Sequence, residues 1–284
     1  MNQAAVLPAP GGFARFCREF WWFGLKEARA CIFAGSFFVV LALSTKLPLG
    51  PLPRYDFILL AALLIQGLLI ATRLETWDEV KTISLFHLLG FALEVFKTHP
   101  AIGSWHYPEF AYSKVLGVPL YSGFMYAAVA SYMAQAWRIM DLRLTGYPSY
   151  WLSLPLCAAI YLNFFTHHFL PDLRWLLIGA TVLVFARTRV YFHPLETPRW
   201  MPMPIAFVLI GFFVWLAENI ATFFRAWQYP EQAAGWTLVH WGKISSWGLL
   251  VILSFIVIAD LKHLKARRAM PGQPQNTRSN PISQ

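Results

Sequence analysis

The feature that most constrains this chain is its division into apolar runs of bilayer-spanning length. They fall at 30–48, 55–73, 80–98, 118–138, 150–170, 173–191, 202–224 and 240–261. An α-helix rises about 1.5 Å per residue, so about 20 apolar residues cross a hydrocarbon core about 30 Å thick. Lipid offers no water to the backbone N–H and C=O groups, and a helix satisfies them internally. The expected fold is an all-α integral membrane protein with about eight transmembrane helices. A soluble alternative fails on composition. The chain is 57% hydrophobic and 13% charged, with a mean hydropathy of +0.49, and an average soluble domain carries about twice that charge.

The net charge of +9, from 23 Lys and Arg against 14 Asp and Glu, sits in the short gaps between the apolar runs. That is where topology signals belong, and it is not the single basic face of a nucleic-acid reader. Counting Lys and Arg by side places 16 with the two termini and 7 on the other side. The bias predicts a multi-pass protein of the bacterial inner membrane with both termini cytoplasmic. Residues 13–29 place Phe13, Phe16, Phe20 and Phe23 on one helical side and Arg15, Arg18, Lys26 and Arg29 toward the other. The segment 1–29 therefore reads as an amphipathic cytoplasmic stretch lying among headgroups, the alternative being a basic start to the first span. The tail 266–284, rich in Pro, Gln, Asn and Ser, is expected to be disordered and cytoplasmic. No removable signal peptide is expected. Cys17, Cys31 and Cys157 form no CxxC and support neither a disulfide framework nor a zinc knuckle.

Two short words recur in register. Leu74-Glu75-Thr76 returns as Leu195-Glu196-Thr197, and Trp105-His106-Tyr107-Pro108-Glu109 returns as Trp227-Gln228-Tyr229-Pro230-Glu231. Between the words each copy has an apolar run ending near a glutamate, Glu94 in one and Glu218 in the other. The chain reads as two four-helix repeats, 30–138 and 150–261. An even number of spans gives both copies the same orientation, so the repeats are parallel. Interface anchoring by Trp and Tyr would account for the words alone, but it needs no acid.

Ionisable groups at bilayer depth are expensive and call for a partner or a purpose. On the third run His87, Gly90, Phe91, Glu94 and Lys97 share a helical face, and Lys97 lies at i+3 from Glu94, where it could neutralise it. On the seventh run Gly211, Trp215, Glu218, Thr222 and Arg225 repeat the arrangement with Asn219 beside it. Glu94 and Glu218 are the candidate catalytic carboxyls, flooring an outward-opening polar cavity. The candidate binding residues are Lys97, Trp105, His106, Tyr107, Glu109, Asn219, Arg225, Trp227, Tyr229, Glu231, His240 and Lys243. The alternative is a pair of structural ion pairs that fix helix register.

No metal site and no cofactor are expected. His167 and His168 are adjacent, so on a helix they point about 100° apart, and His87 with Glu94 has no evident third ligand. Gly117-Val118-Pro119 reads as a turn opening the fourth helix with Pro119 in its first turn. On that helix Gly123, Ala127, Ala130, Ser131 and Ala134 form a small-residue seam suited to close packing.

At Glu94-Val95-Phe96-Lys97, Trp105 to Glu109, and Gly117-Val118-Pro119-Leu120-Tyr121-Ser122-Gly123-Phe124-Met125-Tyr126, the chain resembles the bacterial multi-pass membrane family catalogued as domain of unknown function 817. That resemblance implies a shared architecture over most of the chain and no activity. A weaker similarity runs to membrane carotenoid hydratases, through a glutamate associated with glycine and paired aromatics before a Pro-Leu helix start. It implies alkene protonation by a carboxylic acid followed by addition of water.

The expected partners are the lipid bilayer and a lipophilic or small-molecule ligand, without nucleic acid; no feature marks an oligomeric state. The leading functional expectation is an intramembrane enzyme using the paired glutamates for acid/base chemistry on an isoprenoid or other lipid. The rivals are a proton-coupled small-molecule transporter or permease, and a non-catalytic scaffold.

Overall fold

A computed structural model describes the backbone of residues 12–269 and the side chains of residues 12–260. The expected disordered tail begins too early, since residues 266–269 still belong to the last helix; residues 270–284 lie outside the described residues.

The chain is mostly helical. The helices are α1 (Gly12–Ala30), α2 (Ile32–Ser44), α3 (Arg54–Ala71), α4 (Trp77–Thr98), α5 (Ser122–Ile139), α6 (Tyr150–Thr166), α7 (Arg174–Phe185), α8 (Met203–Phe223) and α9 (Lys243–Ala269). Each apolar run of the sequence therefore contains one helix, but several helices are shorter than their run. At about 1.5 Å per residue, α2 and α7 reach only about 20 and 18 Å. Among the described residues, α3, α8 and the Lys243–Asp260 part of α9 are long and apolar enough to cross a membrane, and α1 with α2, bent by 66°, would make a fourth. Leu60, Leu63, Leu64 and Leu68 of α3 and Val208 and Phe213 of α8 are exposed. Lipid-facing helices look like this, and water rarely meets such a contiguous apolar surface.

The all-α expectation needs correction in two places. Lys114–Val115 (β1) and Val118–Pro119 (β2) pair as a hairpin around Leu116 and Gly117, at φ 53° and 82°. Two successive positive φ angles make the tight turn whose twist matches paired strands. Pro119 thus sits in a strand, and α5 starts later, at Ser122. Elsewhere Arg143–Thr145 (β3), Arg189–Phe192 (β4) and Arg199–Pro202 (β5) form a three-stranded antiparallel sheet in the order β3-β4-β5. The sixth apolar run gives up its end to this sheet. Helix α7 stops at Phe185, before two arginines, and the β-branched and aromatic Val190-Tyr191-Phe192 continue as strand. Arg189 lies over the Trp200 ring across the pair, 4.4 Å from its centroid.

Local signals account for several boundaries. Thr76-Trp77-Asp78-Glu79 is a capping box: Glu79 N–H donates to Thr76 Oγ1 (3.3 Å) and Thr76 N–H to Glu79 Oε2 (2.8 Å). The connection from α6 to α7 is fixed by Asn163, whose Oδ1 accepts from Leu173 N–H (3.1 Å) and whose Nδ2 donates to Asp172 (3.2 Å). Helix α1 leaves Phe13, Phe16, Phe20 and Trp21 exposed. Phe23 turns inward onto Phe192 (5.5 Å between ring centres), and the other face is held by Glu19, which accepts from Arg199 (2.6 Å) and Arg15 (3.0 Å).

The core is built around α5. Its small-residue seam is buried throughout, and α4 and α9 lie against it. The approach of α4 to α5 depends on two glycines. A Cβ on Gly90 would stand 2.2 Å from Tyr126 Cγ, and one on Gly123 would stand 2.6 Å from the His87 ring. No other side chain fits either crossing.

Candidate functional site

Glu94 lies one turn beyond Gly90 on α4 and is 2% exposed. The space left by Gly90 lets the Tyr126 ring of α5 lie across α4, and Tyr126 O–H donates to Glu94 Oε1 at 2.8 Å. The chain leaving α4 then folds back, so that Trp105 Nε1–H and Tyr107 O–H both donate to Oε2 at 2.7 Å. Three aromatic donors thus replace the water that the carboxyl loses on burial.

Glu218 on α8, also 2% exposed, has a matching set. Tyr229 O–H, from the second copy of the word, donates to Oε1. Trp247 Nε1–H, from α9, donates to Oε2 at 2.5 Å. One turn further on, Thr98 and Thr222 each donate a hydroxyl to the backbone carbonyl of the glutamate four residues earlier. The words themselves meet: His106 N–H donates to Gln228 O and Gln228 N–H to His106 O, both at 3.0 Å. Trp105 of the first word packs edge-on against Tyr229 of the second, 6.1 Å between ring centres. A Glu94–Trp105–Tyr229–Glu218 chain of contacts therefore links the two carboxyls.

Glu94 and Glu218 face one cavity of about 900 Å³, at the upper end of the range usual for small-molecule sites. Lys97, Trp105, Trp227, Tyr229 and Lys243 also line it, and most of the remaining wall is apolar, as at Phe38, Met133, Phe164, Leu209 and Val214. The wall follows α5 from Met125 to Trp137, about 18 Å at the helical rise. Beyond the glutamates it continues to Phe20 and Glu27 of α1. It is thus an elongated, mostly apolar cavity with the two glutamates toward one end and Glu27 toward the other, where the sequence led us to expect an outward-opening polar one.

The expected Glu94–Lys97 pair does not form. Lys97, 4% exposed, aims its ammonium at Nε2 of His168 (2.7 Å) and of His167 (3.3 Å), both just beyond the end of α6. His167 donates its Nδ1–H to Asn163 O (2.7 Å), which leaves the Nε2 lone pair to accept. An ammonium can only donate, so His168 Nε2 accepts from it as well. Lys243 lies over the Tyr229 ring, 4.5 Å from its centroid.

Other expected site residues stand elsewhere. Arg225, at φ 55°, borders a separate hollow of about 260 Å³ with Trp236 and Gln232. Glu109 pairs with Arg54 (2.6 Å), which also donates to the carbonyls of Phe224 and Arg225 at the end of α8. Asn219 is structural, binding Trp215 O and the N–H of Val239. His106, Glu231 and His240 are exposed, and His240 Nδ1 accepts from Gly242 N–H (3.1 Å). Tyr126, Trp247, His167 and Arg174 belong to the site and were not singled out from the sequence as binding residues. Tyr126 and Trp247 stand nearly one repeat interval apart, a signal that the words had already supplied. Among the described residues, no group of three or more His, Cys, Asp or Glu side chains is placed to hold a metal ion.

Comparison with known proteins gives the family. The model described as "Protein of unknown function (DUF817)" matches residues 19–255. "Uncharacterized protein YoaT" of Bacillus subtilis (strain 168) is 54% identical over 243 residues, covering 86% of this chain and 91% of that protein. No solved structure matches. With its family model matched over nearly the whole described bundle, and a relative this similar along its length, the chain belongs to the DUF817 family.

Proposed function

We propose that the protein is an intramembrane enzyme that performs acid/base chemistry with Glu94 and Glu218 on a lipophilic substrate. One observation carries this reading: two buried carboxyls, each held by a tyrosine and a tryptophan, face one elongated apolar cavity. An apolar wall selects a chain-like substrate, and a carboxyl whose oxygens are already oriented can give or take a proton without reorganising. One glutamate donates a proton to the substrate while the other accepts one from it or from a water. The family's membership leaves the reaction open, and alkene protonation, as in the carotenoid hydratases, is the chemistry such a pair most readily offers.

The architecture we attach to this is eight crossings in two parallel four-helix repeats, 30–138 and 150–261. The bundle would lie in the bacterial inner membrane with both termini cytoplasmic and α1 among the headgroups. Support comes from the equivalence of the two glutamate settings and from the His106–Gln228 bridge, which joins the same position of both words. The LET words do not extend the likeness, since Glu75 is buried against Gln66, Ser131 and Gln135 while Glu196 is exposed.

A proton-coupled transporter is favoured by a different observation, the continuation of the cavity from the glutamates to α1. Mass spectrometry of small molecules that co-purify with the detergent-extracted protein tests both. A specific isoprenoid or lipid enriched with the native chain, and converted by it but not by the Glu94→Gln, Glu218→Gln double variant, supports the enzyme and supplies its assay. The same bulk phospholipids in both samples, with proton flux in proteoliposomes, would replace it with transport.

A further inference from the structure

The polar end of the cavity brings three cationic side chains together. Lys97, Arg174 and Lys243 all line it, and none of the three touches Glu94 or Glu218, whose oxygens are taken by tyrosines and tryptophans. Asp172 answers one charge only, pairing with Arg174 at 3.1 Å. Lys97 is buried with imidazoles as its partners; two of its three N–H groups go to them, leaving one unspent.

Arg174 and Lys243 are moreover the first residues of α7 and α9. The N-terminal end of a helix carries partial positive charge, so a cation there is unfavourably placed. Two cations on helix N-termini beside a third, buried one make a positively charged end of the cavity that a bound anion would stabilise.

We propose that Lys97, Arg174 and Lys243 receive the phosphate headgroup of a single-chain amphiphile whose chain lies in the apolar cavity. The proposal rests on the reading of this cavity as a lipophilic substrate site and names the substrate class. A phosphate presents several oxygens to donors arriving from more than one helix: the ammonium groups of Lys97 and Lys243 reach them directly, and Arg174, whose guanidinium holds Asp172 and Ser245, adds its charge beside them. The headgroup would lie beside the glutamates, which fixes the reacting end of the chain against them. His167 and His168 hold the Lys97 ammonium in place without neutralising it.

The test is equilibrium binding to the full chain in phosphatidylcholine nanodiscs, with radiolabelled farnesyl phosphate, farnesol and inorganic phosphate as probes and empty discs as the blank. Farnesyl phosphate should bind at least about tenfold more tightly than farnesol, the scale expected for charge-assisted contacts in a buried site. Lys243→Gln, at a half-exposed position, and Lys97→Gln should each weaken the phosphate probe by about tenfold and leave farnesol unchanged, while Lys97→Arg retains binding. Equal affinity for farnesol and farnesyl phosphate, or indifference to both glutamine variants, would overturn the proposal. So would inorganic phosphate binding as tightly as farnesyl phosphate, which would make the ligand a free anion. Glu94→Gln should keep the phosphate probe bound. Binding without any turnover of bound amphiphile therefore refutes the acid/base reading and leaves this one standing.

Discussion

Replacing Gly90 with alanine puts helix propensity and packing in direct opposition. In an isolated helix the change gains about 1 kcal/mol, because glycine loses more backbone freedom than alanine. In this bundle the new Cβ would stand 2.2 Å from Tyr126 Cγ, 2.4 Å from Cδ2 and 2.6 Å from Cβ. Those atoms are the root of the side chain, so no rotamer of the ring relieves the overlap. Either α4 and α5 separate or Tyr126 leaves Glu94. Overpacking of this kind costs about 1–3 kcal/mol, and losing a hydrogen bond to a buried carboxyl about 1.5–3 more. Net of the propensity gain, Gly90→Ala should destabilise by roughly 1.5–5 kcal/mol, a fall in melting temperature of about 3–8 °C for a chain of this size. Thermal unfolding in detergent, followed by tryptophan fluorescence, measures it. Gly67→Ala is the control: Gly67 is mid-helix in α3, and a Cβ added there would meet nothing within 4 Å, so this variant should melt at or slightly above the native temperature. In a Tyr126→Gly background, which removes Cβ as well as the ring, Gly90→Ala should cost little. A Gly90→Ala variant as stable as the Gly67→Ala variant would refute the account of how α4 and α5 meet and of why Tyr126 reaches Glu94.

Two further outcomes are expected. Glu19→Ala removes the partner of both Arg199 and Arg15 and should free α1, seen as faster limited proteolysis within residues 12–30 at an unchanged melting temperature of the remaining bundle. Thr76→Ala opens the capping box of α4 and should cost about 1 kcal/mol in chemical unfolding; no change in midpoint would mean that the cap does not hold the helix start.

The helices were legible because apolar runs of this length have one solution in lipid, and each run does contain a helix. Their ends were not. The run 173–191 looked continuous because Val190 and Tyr191 extend the apolar stretch of the helix before them, and only pairing with Arg143–Thr145 and Arg199–Pro202 makes them a strand. Glu94 and Glu218 stood out as acids in apolar surroundings, and the recurrent words identified Trp105, Tyr107 and Tyr229 as belonging with them. What composition could not supply was direction. Lys97 at i+3 from Glu94 looked like its counter-ion, but the i,i+3 relation leaves the side chain free to point away, and a loop seventy residues further on offers it two imidazoles. Tyr126 was hidden for the opposite reason. It lies in the small-residue helix whose packing explained itself, and its purpose depends on a glycine of another helix.

The paired backbone hydrogen bonds between His106 and Gln228 have a mechanical consequence. Each bridged residue is followed at once by the tyrosine that grips a glutamate, Tyr107 on one side and Tyr229 on the other. The bridge is a yoke: a pull that loosens one grip is transmitted through two N–H···O links to the other, so the two carboxyls release or hold together. Because the coupling runs through main chain, side-chain substitutions at 106 or 228 leave it in force, and only a residue without an N–H, proline, severs half of it. Two distant stretches of one chain, each gripping a buried carboxyl, are in this way mechanically joined.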